Sequence, residues 1–360
     1  MFLSPEPPRM GAGGGALRSA SLLEYLRRRY RVKVVNLEVP LHSKSTAARA
    51  WRNGWRLMRG VPPLFDRFSG FEDQLEPALR NRRYAIGVVE HFWCASYARA
   101  LRPHCGRLVL DLHNIESELA RSHALAASGP RRFALNRFAR AYTTLEQQWI
   151  PEFDLVLTAS DNDRRRVSHP NVRVFPNALP EIALPHESEQ DCIVFSGNLE
   201  YHPNIEAVRW FDSQIWPRLR EEFPNLQWWL VGRNHEAAKK IAGGDGVRFT
   251  GPVEDAIAEL ARAKVCVVPL RSGSGTRFKI LEAWAAGRAV VSTTIGAEGL
   301  GAISGEHLLV ADTVDDFAAA IFGLLENVDL RRKLGESGRA LYLERYTWPS
   351  AWRALESAGL

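Results

Sequence analysis

Cysteine is scarce in this chain of 360 residues, and the four present, Cys94, Cys105, Cys192 and Cys266, form no close pair. That spacing gives neither a zinc knuckle nor a disulfide framework. Cys192 and Cys266 fall in apolar runs that read as buried strands, so free thiols in a reducing cytoplasm are expected, and no metal site. No apolar run reaches the roughly 18 residues of a membrane span. Met1–Leu17 is Pro- and Gly-rich and has no apolar h-region, so no signal peptide is read there. Lysine is nearly missing from the first half, where 26 of 28 basic residues are arginine. The basic half also has no nucleic-acid reader motif, so nucleic acid is not an expected partner.

What is there is a charge asymmetry and a pattern. Residues 1–180 carry +12 and residues 181–360 carry −6. A basic half suits an anionic partner such as acidic lipid headgroups or a phosphorylated substrate; a merely solvated face is the plain alternative. Apolar runs alternate with helical patterns throughout, which predicts α/β architecture with parallel sheets covered by helices. Strands are expected at Val32–Val39, Ala85–Glu90, Leu108–Asp111, Leu155–Ala159 and Val172–Phe175, after a stub at Met1–Ser4. A second series is expected at Cys192–Phe195, Leu226–Val231, Val247–Thr250, Val265–Leu270, Ala289–Thr293 and His307–Val310. The helices between them include Ala16–Tyr30, Phe133–Trp149, Ile205–Glu222, Val253–Arg262, Arg277–Ala286 and Asp315–Glu326. Pro176–Gln190 has no apolar period and reads as a linker. Two domains follow, 1–180 and 181–345, with a C-terminal helix at 346–360 crossing back onto the first.

Several turns carry polar or glycine residues at strand ends, where open α/β sheets bind ligands. Gly14 and Gly15 lie between the N-terminal stub and a helix, as a ligand-approach loop or a simple turn. DLHNIES sets Asp111, His113, Asn114 and Glu116 at a strand end; His113 suits a sugar hydroxyl, and Asn114 suits a helix cap. In TASDND, Ser160 or Asp161 reads as an N-cap. FSGNLEYHPN offers Gly197, Asn198 and Tyr201 to a ligand or to the turn itself, and FTGPVED offers Gly251 and Val253 to a base. RAWRNGWRLMRG, Arg49–Gly60, mixes Arg with Trp, Leu and Met, as interfacial helices and ordinary amphipathic helices both do.

The most specific stretch is GSGTRFKILEAWAAGRAVVSTTIGAEGL, Gly273–Leu300. Ser274, Gly275 and Thr276 favour a turn into a helix, whose N–H groups present to an anion. Arg277 and Lys279 add charge for a diphosphate, and Glu282, about one turn in, suits a ribose diol.

Taken in order, the glycine loop, DLHNIES, TASDND, VFPNAL, FSGN, LVGRN, FTGPVED and KILEAWAAGRAVVSTTIGAEGL resemble group 1 (family 4) retaining glycosyltransferases of the GT-B fold, over nearly the whole chain. The resemblance implies two facing Rossmann-like domains with a cleft between them. The second would hold a nucleotide diphosphate sugar, UDP-sugar before GDP-sugar, and the first a carbohydrate or lipid-linked acceptor. No cofactor and no metal are implied, because protein cations and helix N-termini neutralise the diphosphate. Glu282 matches the ribose-holding member of the family's glutamate pair. Gly275 and Thr276 match positions near the phosphates, and Val253 the base contact. His113 matches the histidine touching the donor sugar near the reacting carbon, and Gly14 and Gly15 the loop facing the diphosphate.

Two departures stand out. Ser274 replaces the other glutamate, and the cations expected after the FSG-type strand are missing, with Arg277 and Lys279 supplying that charge instead. The GSGTRxK form resembles a branch associated with surface-polysaccharide synthesis. The implied activity is transfer of a hexose to a hydroxyl with retention. A cytoplasmic protein is expected, and its basic half and the Arg49–Gly60 segment suit docking on the anionic inner face of the plasma membrane, an ordinary surface helix being the alternative for that segment. A non-catalytic nucleotide-sugar binder and a sugar-nucleotide epimerase are the alternatives.

Overall fold

Twelve strands form two all-parallel six-stranded sheets in the computed structural model, which describes residues 1–8, 14–40, 45–125, 127–272 and 277–360. The first sheet holds β1 (Phe2–Ser4), β2 (Val34–Asn36), β3 (Tyr84–Glu90), β4 (Cys105–Asp111), β5 (Leu155–Thr158) and β6 (Val172–Val174), in the order β2-β1-β3-β4-β5-β6. The second holds β7 (Cys192–Ser196), β8 (Gln227–Val231), β9 (Val247–Gly251), β10 (Val265–Val268), β11 (Ala289–Ser292) and β12 (Leu309–Val310), in the order β12-β11-β10-β7-β8-β9. Strands covered on both faces read as continuous apolar runs, and Leu108–Leu110, Leu155–Leu157, Ile193–Phe195 and Trp228–Val231 are all essentially inaccessible. The N-terminal stub is a three-residue strand, yet it sits centrally, pairing with β2 and β3.

Two helices differ from expectation. The expected helix Ile205–Glu222 is broken into His202–Trp210, a π-helical turn Phe211–Ile215 and Trp216–Glu222. Pro217 has no N–H to return to the preceding turn, and a widened turn absorbs the loss. The expected helix from Val253 starts at Ala256, because Asp255 accepts hydrogen bonds from the Ile257 and Ala258 N–H groups.

The chain divides into two compact units. Among the described residues, one comprises residues 1–177 with Trp352–Leu360, the other residues 178–272 with Arg277–Ala351. Within the first unit, the Trp352 indole donates to Ser21 Oγ at 3.0 Å and lies 5.9 Å from the Tyr25 ring. Arg107 donates to the Ala358 and Gly359 carbonyls, and the Tyr25 hydroxyl to that of Leu360. In the second unit, the extended stretch after Ala178 is tied down at Leu179, Pro180 and Ile182 by Tyr346, Tyr342 and Arg339. All four cysteines are free and buried.

Each sheet reverses its winding once. In the first the reversal falls between β1 and β3, in the second between β7 and β10. A crevice opens at the carboxyl ends of such strand pairs, and ligands bind there.

Candidate functional site

At the first reversal, β3 ends at Glu90, with His91 next, and β4 at Asp111, with His113 two residues on. His113 Nε2 lies 2.8 Å from Glu90 Oε2 and 3.3 Å from Asp111 Oδ2. Arg18, from the helix Gly14–Arg29, donates through Nε to Asp111 Oδ2 at 2.9 Å and through a terminal nitrogen to Asn177 Oδ1 at 3.0 Å. Ser19 donates to Glu90. All of these groups are buried, so their protonation is set by one another. Burial and then Asp111 push the Glu90 carboxyl up. Burial alone would raise Asp111, but the Arg18 guanidinium and the His113 bond outweigh it and hold Asp111 well below the usual carboxylate range. Burial alone would lower His113, but its bonds to Asp111 and Glu90 hold it above its ordinary value. Burial, then the neighbouring His113, drives His91 down.

The network is incomplete on one side. Glu90 Oε1, His91 Nδ1 and His113 Nδ1 are buried and have no hydrogen-bond partner among the described residues. Native structures leave few such atoms unsatisfied, so a ligand hydroxyl is a fitting complement here. Ligand atoms of Glu90, His91 and His113 also lie within 4.8 Å of one another, a spacing that suits a divalent cation as well. A side-chain carbon on Gly15 would stand 3.3 Å from His113 Nδ1, so any larger residue there would crowd that nitrogen. The structure thus brings Gly15 and His113 together. Sequence reasoning missed Glu90, His91 and Arg18. The cue for the first two was a charged pair closing an apolar strand, VVEH; Arg18 had none, since its partner lies 93 positions away.

The second reversal is furnished differently. Lys279, on the helix Phe278–Ala285, donates from Nζ to the Ser196 carbonyl at 2.6 Å and lies 5.0 Å over the Phe195 ring. A Cβ on Gly197 would fall 2.0 Å from that ammonium, and the residue's φ is +143°. Glycine is required there on both counts. Glu282 follows one turn later and accepts from Ser196 Oγ at 3.4 Å. Lys279 and Glu282 keep one side accessible, but the crowding around their charged ends still acts on them. Desolvation draws Lys279 down to about 8 and pushes Glu282 up, each resisted by the other's charge. Arg277 is buried and pairs with Glu298 at 3.3 Å.

The turns after β7, β8 and β9 are laced by glycine backbones. Gly197 N–H donates to the Val231 carbonyl at 2.8 Å, and Gly232 N–H to that of Gly251 at 3.2 Å. A Cβ on Gly232 would lie 1.9 Å from the Gly197 carbonyl oxygen. Gly251, at φ +73°, closes β9, and Val253 sits half-buried just beyond it. Gly197, Gly232 and Gly251 therefore share one edge; Gly232 was quoted within LVGRN but not singled out. Asn198 is exposed and closes its own turn, its carbonyl accepting from Asn204 and its side chain from Glu200 and Asn234. Ser160 accepts the Asp163 N–H as a helix cap. Ser274, Gly275 and Thr276 lie outside the described residues.

Residues 190–327, which contain this second constellation, match the family model of the glycosyl transferases group 1. That stretch resembles group 1 glycosyltransferases, and the two parallel six-stranded sheets share the GT-B architecture of solved neighbours. Among relatives, an uncharacterised 44.6 kDa protein of the cps region of Klebsiella pneumoniae is 26% identical over 163 residues, 43% of this chain. A phosphatidyl-myo-inositol mannosyltransferase of Mycolicibacterium smegmatis is 34% identical over 140 residues, 37% of this chain. The matched stretches span 42% and 36% of those relatives' own lengths. Among solved structures, sucrose-phosphate synthase of Thermosynechococcus elongatus aligns over 99% of this chain and 96% of its own, with a TM-score of 0.71 and 18% identity. That likeness is one of fold: two parallel six-stranded sheets with helices.

Proposed function

We propose that this chain is a glycosyltransferase that moves a hexose from a nucleotide diphosphate sugar, UDP before GDP, to an acceptor hydroxyl with retention of anomeric configuration. The observation that carries the reading is the Lys279 ammonium seated against Gly197 at the β7/β10 reversal, with Glu282 one turn on. A cation, converging backbone and a carboxylate at a switch point suit a diphosphate and a ribose. The surrounding segment is the one matched to group 1.

In the reaction the anomeric carbon–oxygen bond to the diphosphate breaks and the acceptor oxygen bonds to that carbon from the same face. The acceptor's proton passes to the leaving phosphate oxygen. Lys279 and Arg277 stabilise the charge that develops on the diphosphate. His113, held by Glu90 and Asp111, is assigned to a hydroxyl of the transferred sugar. Val253 and Gly251 are assigned to the base, Gly14 and Gly15, with Gly275 and Thr276, to the phosphates, and Ser274 to the transferred sugar. The relatives suggest the setting: a cps-region protein points to surface polysaccharide, a phosphatidylinositol mannosyltransferase to a lipid-linked acceptor. A cytoplasmic enzyme working at the inner membrane face fits both.

A thermal-shift panel of UDP-, GDP-, ADP- and TDP-sugars tests the donor, since a specific ligand raises apparent stability by mass action. One nucleotide should stand out, and product should form only when acceptor is added. No response to any nucleotide sugar overturns the reading. Conversion of the sugar without acceptor marks an epimerase, and binding without transfer to any acceptor a non-catalytic binder.

A further inference from the structure

The helix Thr46–Arg59 is turned outward. Trp51, Trp55 and Met58 share one face and are 76%, 51% and 65% exposed. The packed side of the helix carries Arg52 and the buried Arg56, whose Nε donates to Asp66 at 2.7 Å. An ordinary surface helix buries its aromatic stripe and leaves arginine in water. Here an arginine, Arg56, is the buried residue of the helix and the indoles are uncovered. The helix is fixed at both ends. Ser45 caps its start, Gly60 closes it at φ +65°, and Arg137 donates to the Leu57 and Met58 carbonyls at 2.7 and 3.1 Å.

Beside that closing turn lies a cavity of about 390 Å³, lined by Gly60, Phe133, Asn136, Arg137, Arg140 and Thr144 among others, none of them acidic. Phe133 is itself 66% exposed. Arg140 has no hydrogen-bond or ion-pair partner for its guanidinium among the described residues, and neither do the exposed Arg49, Arg59, Arg131 and Arg132.

We propose that this face docks on an anionic phospholipid bilayer, with Trp51, Trp55 and Met58 in the headgroup–acyl boundary and one lipid phosphate in the Arg137–Arg140 cavity. Trp is at home where one end of a side chain is apolar and the other wet. The unpaired arginines supply the charge complementarity, and the +12 of residues 1–180 supplies the long-range attraction. The proposal gives the lipid-linked acceptor reading a surface to work on, and rests on that reading only for its purpose, because its residues are separate from the donor site.

Flotation of the full chain with neutral and with phosphatidylglycerol-containing vesicles tests it. Binding should need the anionic lipid and fall about tenfold or more at high salt. The exposed-face variant Trp51→Ser/Trp55→Ser/Met58→Ser should bind about tenfold more weakly. Arg140→Ala should bind about fivefold more weakly. Both variants should keep the parent's melting temperature and its response to donor nucleotide. No binding to anionic vesicles at low salt overturns the proposal, as does a triple variant that floats like the parent. Self-association that the triple variant abolishes, without vesicle binding, assigns the face to a second copy instead. Saturation by soluble glycerol phosphate, without vesicle binding, assigns the cavity to a free phosphate. Vesicle binding without any nucleotide response leaves this proposal standing and removes the donor reading.

Discussion

The two sheet reversals present opposite solutions to holding charge. At β1/β3, four ionisable side chains, Arg18, Glu90, Asp111 and His113, are buried beside the partly buried His91 and answer mainly to each other. At β7/β10 a single ammonium leans on a backbone carbonyl and an aromatic ring, with one carboxylate a turn away. The first arrangement fixes positions and proton locations before any ligand arrives. The second leaves a desolvated cation short of a full counter-charge, which favours an incoming anion. Pre-organised hydrogen bonding and available positive charge are separate tasks, and this chain puts them in separate units.

Breaking the sparse region should cost most in turnover. Replacing Arg277 and Lys279 together with Ala is expected to lower the transfer rate by about 10²–10³ or more, measured under donor saturation; near-parent turnover would sink the assignment. The parent itself should bind donor less well as pH rises through about 8, because Lys279 loses its proton there. Breaking the dense region should cost most in stability. Arg18→Met leaves the Asp111 carboxylate buried without its main partner, and such losses run to about 3–5 kcal/mol. A denaturation midpoint unchanged from the parent would show that the network is not a structural unit.

A smaller effect sharpens the contrast. Gly197→Ala asks a side chain to occupy the Lys279 position at a strained φ, at a cost of about 1–3 kcal/mol. It should also abolish the nucleotide-induced thermal shift, and a retained shift would mean that the ammonium is not placed by the glycine. The smallest effect concerns Glu116, where burial raises the carboxyl to about 8 from 4.5. The folded state then holds a proton that the unfolded state has released between those values, so this group's contribution to stability falls as pH rises through that window. Glu116→Gln should remove that slope from the melting temperature; an identical slope in both proteins would show that the carboxyl is not held protonated.

The central strands were the most legible as apolar runs because strands buried on both faces write themselves that way, while the edge strands β2, β9 and β12 are only partly buried. Boundaries shifted where one residue's chemistry intervened, at Pro217 and at Asp255. Lys279, Glu282 and Gly197 were legible because glycine, cation and carboxylate stood near strand ends with helix spacing between two of them. The Arg18–Asp111 and Glu90–His113 pairs were not, since each joins residues far apart in sequence and no local pattern announces a long-range partner. The exposed Trp face was visible as composition but not as orientation. Periodicity says which residues share a face, and only packing says which face turns inward.

The membership of Trp352–Leu360 in the first unit bears on how this protein is made. Domains generally fold as they leave the ribosome, N-terminal first, at about 5–20 residues per second. Here the first unit emerges without the segment that covers Tyr25 and Ser21 and answers Arg107. That segment follows on the order of 10–40 s later, after the whole second unit has been synthesised. For that interval the nascent chain carries an open apolar face, and the second unit's translation time becomes part of the first unit's folding time.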